Sequence, residues 1–153
     1  MPGTDNTRVD IISIIRNTIS LFSNNEKISF ILELNNNEYA FIYADESQFV
    51  RVFNNLVKNA IQSIPEDSEG VIRIDLNIVD EVVIVRIEDN GQGVPDELED
   101  KLFQPNFTTK SSGMGLGLAI VKKIIEDAKG SIRYETTLGE GTTFIIELPE
   151  HTL

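Results

Sequence analysis

Asn55 and Asn59 stand four residues apart with Lys58 beside them. If this stretch is helical, that spacing brings two neutral amide oxygens to one side, where they can share a hard cation, with an ammonium close by. Gln48, Arg51 and Gln62 fall on the same polar face, which also suits a plain solvated helix surface. Asparagine is a poor choice for such a surface, because each of Asn54, Asn55 and Asn59 costs about half a kcal/mol relative to alanine in a helix interior. A second candidate is Asp89-Asn90-Gly91-Gln92-Gly93, directly after an apolar run. There a carboxylate could accept from a ligand amine while Gly91 and Gly93 let a flat ring approach the backbone; an Asx turn fits the same residues. The third is Gly113-Met114-Gly115-Leu116-Gly117 at the start of a helical pattern, preceded by Thr108-Thr109-Lys110-Ser111-Ser112. Amides at a helix start, four hydroxyls and one lysine make a phosphate nest. It lacks the Gly-Lys-Ser/Thr ending of a Walker loop, and it follows an irregular stretch rather than the strand a dinucleotide fingerprint requires.

These residues need a scaffold, and the bulk composition bounds it. At 153 residues and 41% hydrophobic, the chain can bury one core, so residues 1–153 read as a single domain, with 1–8 as linker or an added start. The net charge of -12 repels a phosphate backbone, which excludes nucleic acid as the expected partner; an anion must be held by local amides and a few cations. There is no cysteine, hence no disulfide framework and no thiolate metal site. Apolar runs such as residues 82–87 are strand-sized, so no direct membrane contact is expected of this domain, and a cytoplasmic location is the expectation even if the parent protein is anchored in an inner membrane. The start, Met1-Pro2-Gly3-Thr4, lacks the layout of a signal peptide.

Apolar residues at three- and four-residue steps, beginning at Val9, predict a helix over 10–22. Residues 27–34 and 40–43 read as strands around the Asn35-Asn36-Asn37 turn, which predicts a hairpin. Asp45 and Gln48 resemble a capping box, and the period from Phe49 to Ile64 predicts a helix over 45–64 that Pro65 ends. Two strands follow over 71–79 and 82–88, then a helical turn or two, an irregular stretch over 104–117, a helix over 118–128 and a closing hairpin over 131–136 and 142–148. A stretch of irregular chain that long inside a compact domain points to a functional loop. The order predicts an α/β two-layer sandwich, a mixed β-sheet covered on one face by three helices.

The polar segments, taken in order, resemble the sequence boxes of the sensor histidine kinases, relatives of DNA gyrase, the mismatch-repair ATPases and the large heat-shock chaperone. Asn55-Leu56-Val57-Lys58-Asn59-Ala60 looks like the asparagine box and Asp89 to Gly93 like the first glycine box. Leu102-Phe103-Gln104-Pro105-Asn106-Phe107-Thr108-Thr109-Lys110 resembles the phenylalanine box, in the form typical of nitrogen-regulation sensor kinases. Gly113 to Leu118 resembles the second glycine box, and Gly139-Glu140-Gly141-Thr142-Thr143-Phe144 the closing glycine-threonine segment.

The resemblance implies a Bergerat-type fold that binds ATP with Mg²⁺ and donates the γ-phosphoryl group to a histidine in two-component signalling. Asn59 would coordinate Mg²⁺ with Asn55 beside it, Asp89 would bond the adenine amine, and Thr142 would support a water near the base. Lys110, with Thr109 next to it, and the amides of Gly113 to Gly117, including Gly115 and Leu116, would meet the phosphates on a lid, with Lys58 as an extra contact. In the family the accepting histidine sits on a separate helical dimerisation domain, and a response regulator acts downstream. The single histidine here, His151, is a tail residue to which no role is assigned. A hydrolysing ATPase or serine-protein kinase of the same superfamily is the alternative; those relatives place a glutamate base where this sequence has Asn55.

Overall fold

The structure is a computed structural model and describes residues 5–99, 101–104 and 114–152. Its elements run β1 (Asn6–Asp10), α1 (Ile11–Phe22), β2 (Ile28–Glu33), β3 (Phe41–Asp45), α2 (Glu46–Ser63), β4 (Gly70–Val79), β5 (Val82–Asp89), the single turn α3 (Asp96–Glu99), α4 (Met114–Asp127), β6 (Ser131–Thr137) and β7 (Gly141–Pro149). Five strands form the main sheet in the order β2-β4-β5-β7-β6, parallel between β2 and β4 and antiparallel elsewhere.

Alternation along the strands puts Ile72, Ile74 and Leu76 of β4, Val83, Val85 and Ile87 of β5, and Phe144, Ile146 and Leu148 of β7 in one core. The matching stripe of α2, from Phe49 through Val52, Phe53, Leu56 and Val57 to Ala60, packs on it, with α1 and α4 flanking. The opposite sheet face carries charge pairs, such as Arg73 with Glu33 at 3.6 Å and Arg133 with Glu147 at 3.8 Å. The mixed, one-side-covered α/β sandwich is therefore as expected.

One pairing is not. The hairpin expected of residues 27–34 and 40–43 does not form: β2 pairs parallel with β4, and β3 pairs antiparallel with β1 in a separate two-stranded ribbon. The Asn35–Asn37 turn exists, with Asn35 and Asn36 at positive φ, but the Asn35 amide donates to the Leu76 carbonyl at 2.8 Å and ties the turn to β4. Val9, expected to begin the first helical stripe, lies in β1 instead, buried opposite Ile42.

Helix starts follow the sequence closely. The Asp45 carboxylate accepts from the N–H groups of Ser47 and Gln48 and caps α2; with the Asp5 N–H also donating to it, its pKa is held below the ordinary carboxylate value. Asp10 does more than cap α1: one carboxylate oxygen accepts from Ile12 N–H at 3.1 Å and from Ala40 N–H at 3.0 Å, fixing the helix start to the entry of β3. Asp10→Ala is expected to cost about 1–2 kcal/mol, the range of a lost cap. Urea denaturation measures it; a loss under about half a kcal/mol would leave the cap without consequence.

Candidate nucleotide-binding site

The last turn of α2 meets the end of β5 at Asp89. This carboxylate is 5% exposed, and one of its oxygens accepts from the Ser63 hydroxyl at 3.0 Å and the Gly91 N–H at 2.8 Å. The backbone N–H of Thr142, its partner in the β5–β7 register, is a further donor. Burial pushes the Asp89 pKa above the ordinary carboxylate value, against the lowering effect of these three donors. The Gly91 bond is the Asx hydrogen bond that the sequence also allowed, here on a desolvated carboxylate at a strand end.

The turn after Asp89 is held on two sides. Gln92 N–H donates to the Ser63 carbonyl at 3.0 Å, and Gly139 N–H donates to the Gln92 carbonyl at 2.7 Å. Gly91 packs so closely on Ser63 that a Cβ would overlap the Ser63 hydroxyl and carbonyl. Gly93 turns with φ +74 against Thr137 at the β6–β7 turn. Thr142 is 6% exposed, and its hydroxyl lies 2.9 Å from that of Thr136, which also accepts from Val94 N–H at 2.9 Å.

Two turns before Ser63, near the middle of α2, Asn55 lies against Gly117 in the first turns of α4; a Cβ on Gly117 would sit 3.7 Å from the Asn55 amide, in ordinary contact. Asn59, half-buried, falls one turn beyond Asn55 and one before Ser63, while Lys58 is exposed on the same helix. Asn54 belongs elsewhere: its amide oxygen accepts from Thr18 of α1 at 3.3 Å. Gly115 and Leu116 fall in the opening turn of α4. Thr109, Lys110 and Gly113 lie outside the described residues.

The structure thus sets Asn55 and Asn59 along the second half of α2, with Gly117 against Asn55, and gathers Asp89, Gly91, Gly93 and Thr142 around the end of that helix. It adds Ser63 and Thr136, which the sequence reading did not single out. Ser63 was within reach of the helical wheel, since residues 55, 59 and 63 continue one stripe at four-residue steps. Thr136 and Thr142 form a cross-strand threonine pair, visible only once the hairpin register is known. Among the described residues no group of three or more His, Asp or Glu side chains could hold a metal ion. A cation here would be held by amide oxygens together with ligand oxygens, a donor set that suits Mg²⁺, which binds oxygen and commonly shares substrate phosphates.

Comparison with known proteins defines the class. The family model described as histidine kinase-, DNA gyrase B- and HSP90-like ATPase matches residues 44–152. The chain is 42% identical over 124 residues to the signal transduction histidine-protein kinase AtoS of Escherichia coli strain K12, covering 80% of this chain and 20% of that protein. It is 36% identical to a putative sensor histidine kinase NtrY-like of Rickettsia bellii, covering 85% of this chain and 21% of that protein. Among solved structures, the catalytic domain of histidine kinase ThkA matches with TM-score 0.84 and 37% identity, over 95% of this chain and 96% of that one. A second ThkA structure, in complex with the response regulator protein TrrA, matches with TM-score 0.78 and 34% identity, over 95% of this chain and 42% of that one. The chain belongs to the histidine kinase-, gyrase- and HSP90-like ATPase family, as a catalytic domain of the histidine kinase branch. It spans about a fifth of the length of the kinases AtoS and NtrY-like that it matches.

Proposed function

We propose that this domain binds Mg-ATP with adenine at Asp89 and phosphates beneath the start of α4, and passes the γ-phosphoryl group to a histidine on a separate dimerisation domain of the same parent kinase, from which a response regulator takes it. The observation that carries the reading is the layout of the second half of α2: Asn55 beside Gly117 near the middle of the helix, Ser63 beside Asp89 at its end. Eight helical residues separate these two points, roughly 12 Å at 1.5 Å per residue, which suits the span from base to phosphates in an extended nucleotide.

In this reading Asn59 and Asn55 would hold Mg²⁺, whose charge neutralises the phosphates. The amides at the start of α4, from Met114 to Gly117, would face those oxygens, with Thr109, Lys110, Gly113 and Lys58 supplying further contacts. Asp89 fixes the base, Gly91 and Gly93 shape the turn beneath it, and Thr142 would place a water between protein and ring. The incoming imidazole attacks the γ-phosphorus in line as the bond to the ADP oxygen breaks, and ADP leaves with that electron pair. Neutral imidazole is already a nucleophile and needs no strong base from this domain. Water does need one, and Asn55 is an amide that cannot accept its proton.

The domain is therefore expected to release phosphate slowly alone and to label a histidine supplied in trans. The experiment mixes it with labelled ATP, with and without the parent's histidine-bearing domain, following phosphate release and acid-labile protein label separately. Fast phosphate release by the domain alone, with no label on the added protein, would favour the hydrolase alternative. A milder prediction concerns the cation: withdrawing Mg²⁺ should weaken ATP binding several-fold in calorimetry and leave adenosine binding unchanged, because the base end holds no part of the cation site.

A further inference from the structure

We propose that Ser63 is a positioning residue for the base acceptor, its hydroxyl holding one oxygen of Asp89 so that the carboxylate keeps one acceptor direction for the exocyclic amine of a purine. This rests on the reading of Asp89 as the adenine contact. A carboxylate has about four lone-pair sites. Three donors converge on this one, the Ser63 hydroxyl and the N–H groups of Gly91 and Thr142. That leaves about one site for a ligand donor, and two of the three donors are fixed by the backbone.

Ser63 is the adjustable member. Its hydroxyl carries one proton and lies within bonding distance of two acceptors, the Ala60 carbonyl at 2.8 Å and Asp89 at 3.0 Å. With Asp89 ionised, the proton favours the charged acceptor, since a charge-assisted bond is the stronger. With Asp89 protonated, it can turn back to Ala60. Ser63 therefore favours the acceptor form of the site, the form an amine requires and a 6-oxo purine does not.

The backbone of Ser63 performs a separate task, because its carbonyl accepts from Gln92 N–H at 3.0 Å. Ser63→Ala leaves that bond in place and removes only the hydroxyl. Loss of a donor to a buried carboxylate removes one of the influences that lower its pKa, so the Asp89 pKa should rise further. Glu88, on the same strand, pushes it in the same direction as burial. The residues that face Asp89 from α2, β4 and β7 are Ser63, Ile72 and Thr142, none of which titrates near neutrality. Amine binding needs the ionised form, so affinity falls as pH drops through the Asp89 pKa, and in the variant that fall should begin at higher pH.

The test is calorimetric titration of wild type, Ser63→Ala and Asp89→Asn with ATP and with purine riboside triphosphate, which lacks the amine, from pH 5.5 to 8. Ser63→Ala is expected to weaken ATP roughly five- to tenfold at neutral pH, to shift the pH profile upward, and to change binding of the amine-free nucleotide less than about twofold. Equal loss for both nucleotides would show a merely structural role, and unchanged ATP affinity with an unchanged profile would also overturn the proposal. If Asp89→Asn loses ATP binding while Ser63→Ala does not, only the role of Ser63 fails; if Asp89→Asn binds ATP as wild type does, the base-contact reading itself fails. Ser63→Cys, similar in volume with a weaker donor, takes the place of the alanine variant should that not fold.

Discussion

Asparagine at position 89 is expected to lower ATP affinity by about tenfold or more. The carboxylate is buried, and the groups converging on it are all donors: a hydroxyl from Ser63 and N–H groups from Gly91 and Thr142. An amide replaces one acceptor oxygen with an NH₂. Turned inward, that NH₂ meets the protein's own donors; turned outward, it meets the adenine amine. Either orientation leaves a buried donor unpaired, at a cost of roughly 1–3 kcal/mol, and about 1.4 kcal/mol is tenfold. Calorimetry with ATP reads the loss, and wild-type affinity in the variant would reduce Asp89 to a turn residue.

The largest stability effect should come from Gly141→Ala. Gly141 opens β7 with φ +137, a conformation that L residues essentially avoid, and a Cβ there would overlap the Asp89 backbone carbonyl on the paired strand. Strain of that kind costs on the order of 1–3 kcal/mol, and the overlap adds to it by prising β5 from β7, so about 3 kcal/mol or more is expected. Gly139 provides the control. It also has positive φ, at +83, but a Cβ there meets nothing within 4 Å, so Gly139→Ala should cost only the strain, about 1 kcal/mol. Urea denaturation of the two variants separates the contributions, and equal losses would show that contact with Asp89 is unimportant.

Much of this architecture can be read from the chain alone, for identifiable reasons. The apolar stripe of α2 and the alternation along β4, β5 and β7 each match one period, and these four elements appear within a residue or two of their expected bounds, whereas α4 begins at Met114, four residues before its expected start, because its glycine-rich opening hides the helical period. β1 could not be seen, because Asn6–Asp10 buries only Val9 and so carries no alternation. The mispaired β2 and β3 show a different limit. Their asparagine turn was recognised correctly, but a turn says only that the chain reverses; burial against β4 and the Asn35 bond to Leu76 decide which strand β2 joins. At the proposed site, residue type and spacing singled out positions 55, 59 and 89, and Thr142 came from the family resemblance alone. Of their hydrogen-bond partners, Ser63 continues the same helical stripe, while the Thr136–Thr142 pair emerges only from the strand register.

The strand order also bears on how the molecule is made. β5 is central, yet one of its two partners is the last strand of this domain, and Asp89 is paired there with Thr142. During synthesis the stretch from β1 to α4 emerges first, with one edge of β5 open and one donor to Asp89 missing. β2 likewise waits for β4, some forty residues further on. Such non-local pairings are late and slow to close. A nascent or truncated chain ending before Gly141 should therefore neither complete its sheet nor pair Asp89 with Thr142. Nucleotide capture by this domain then reports that translation has passed the final strand.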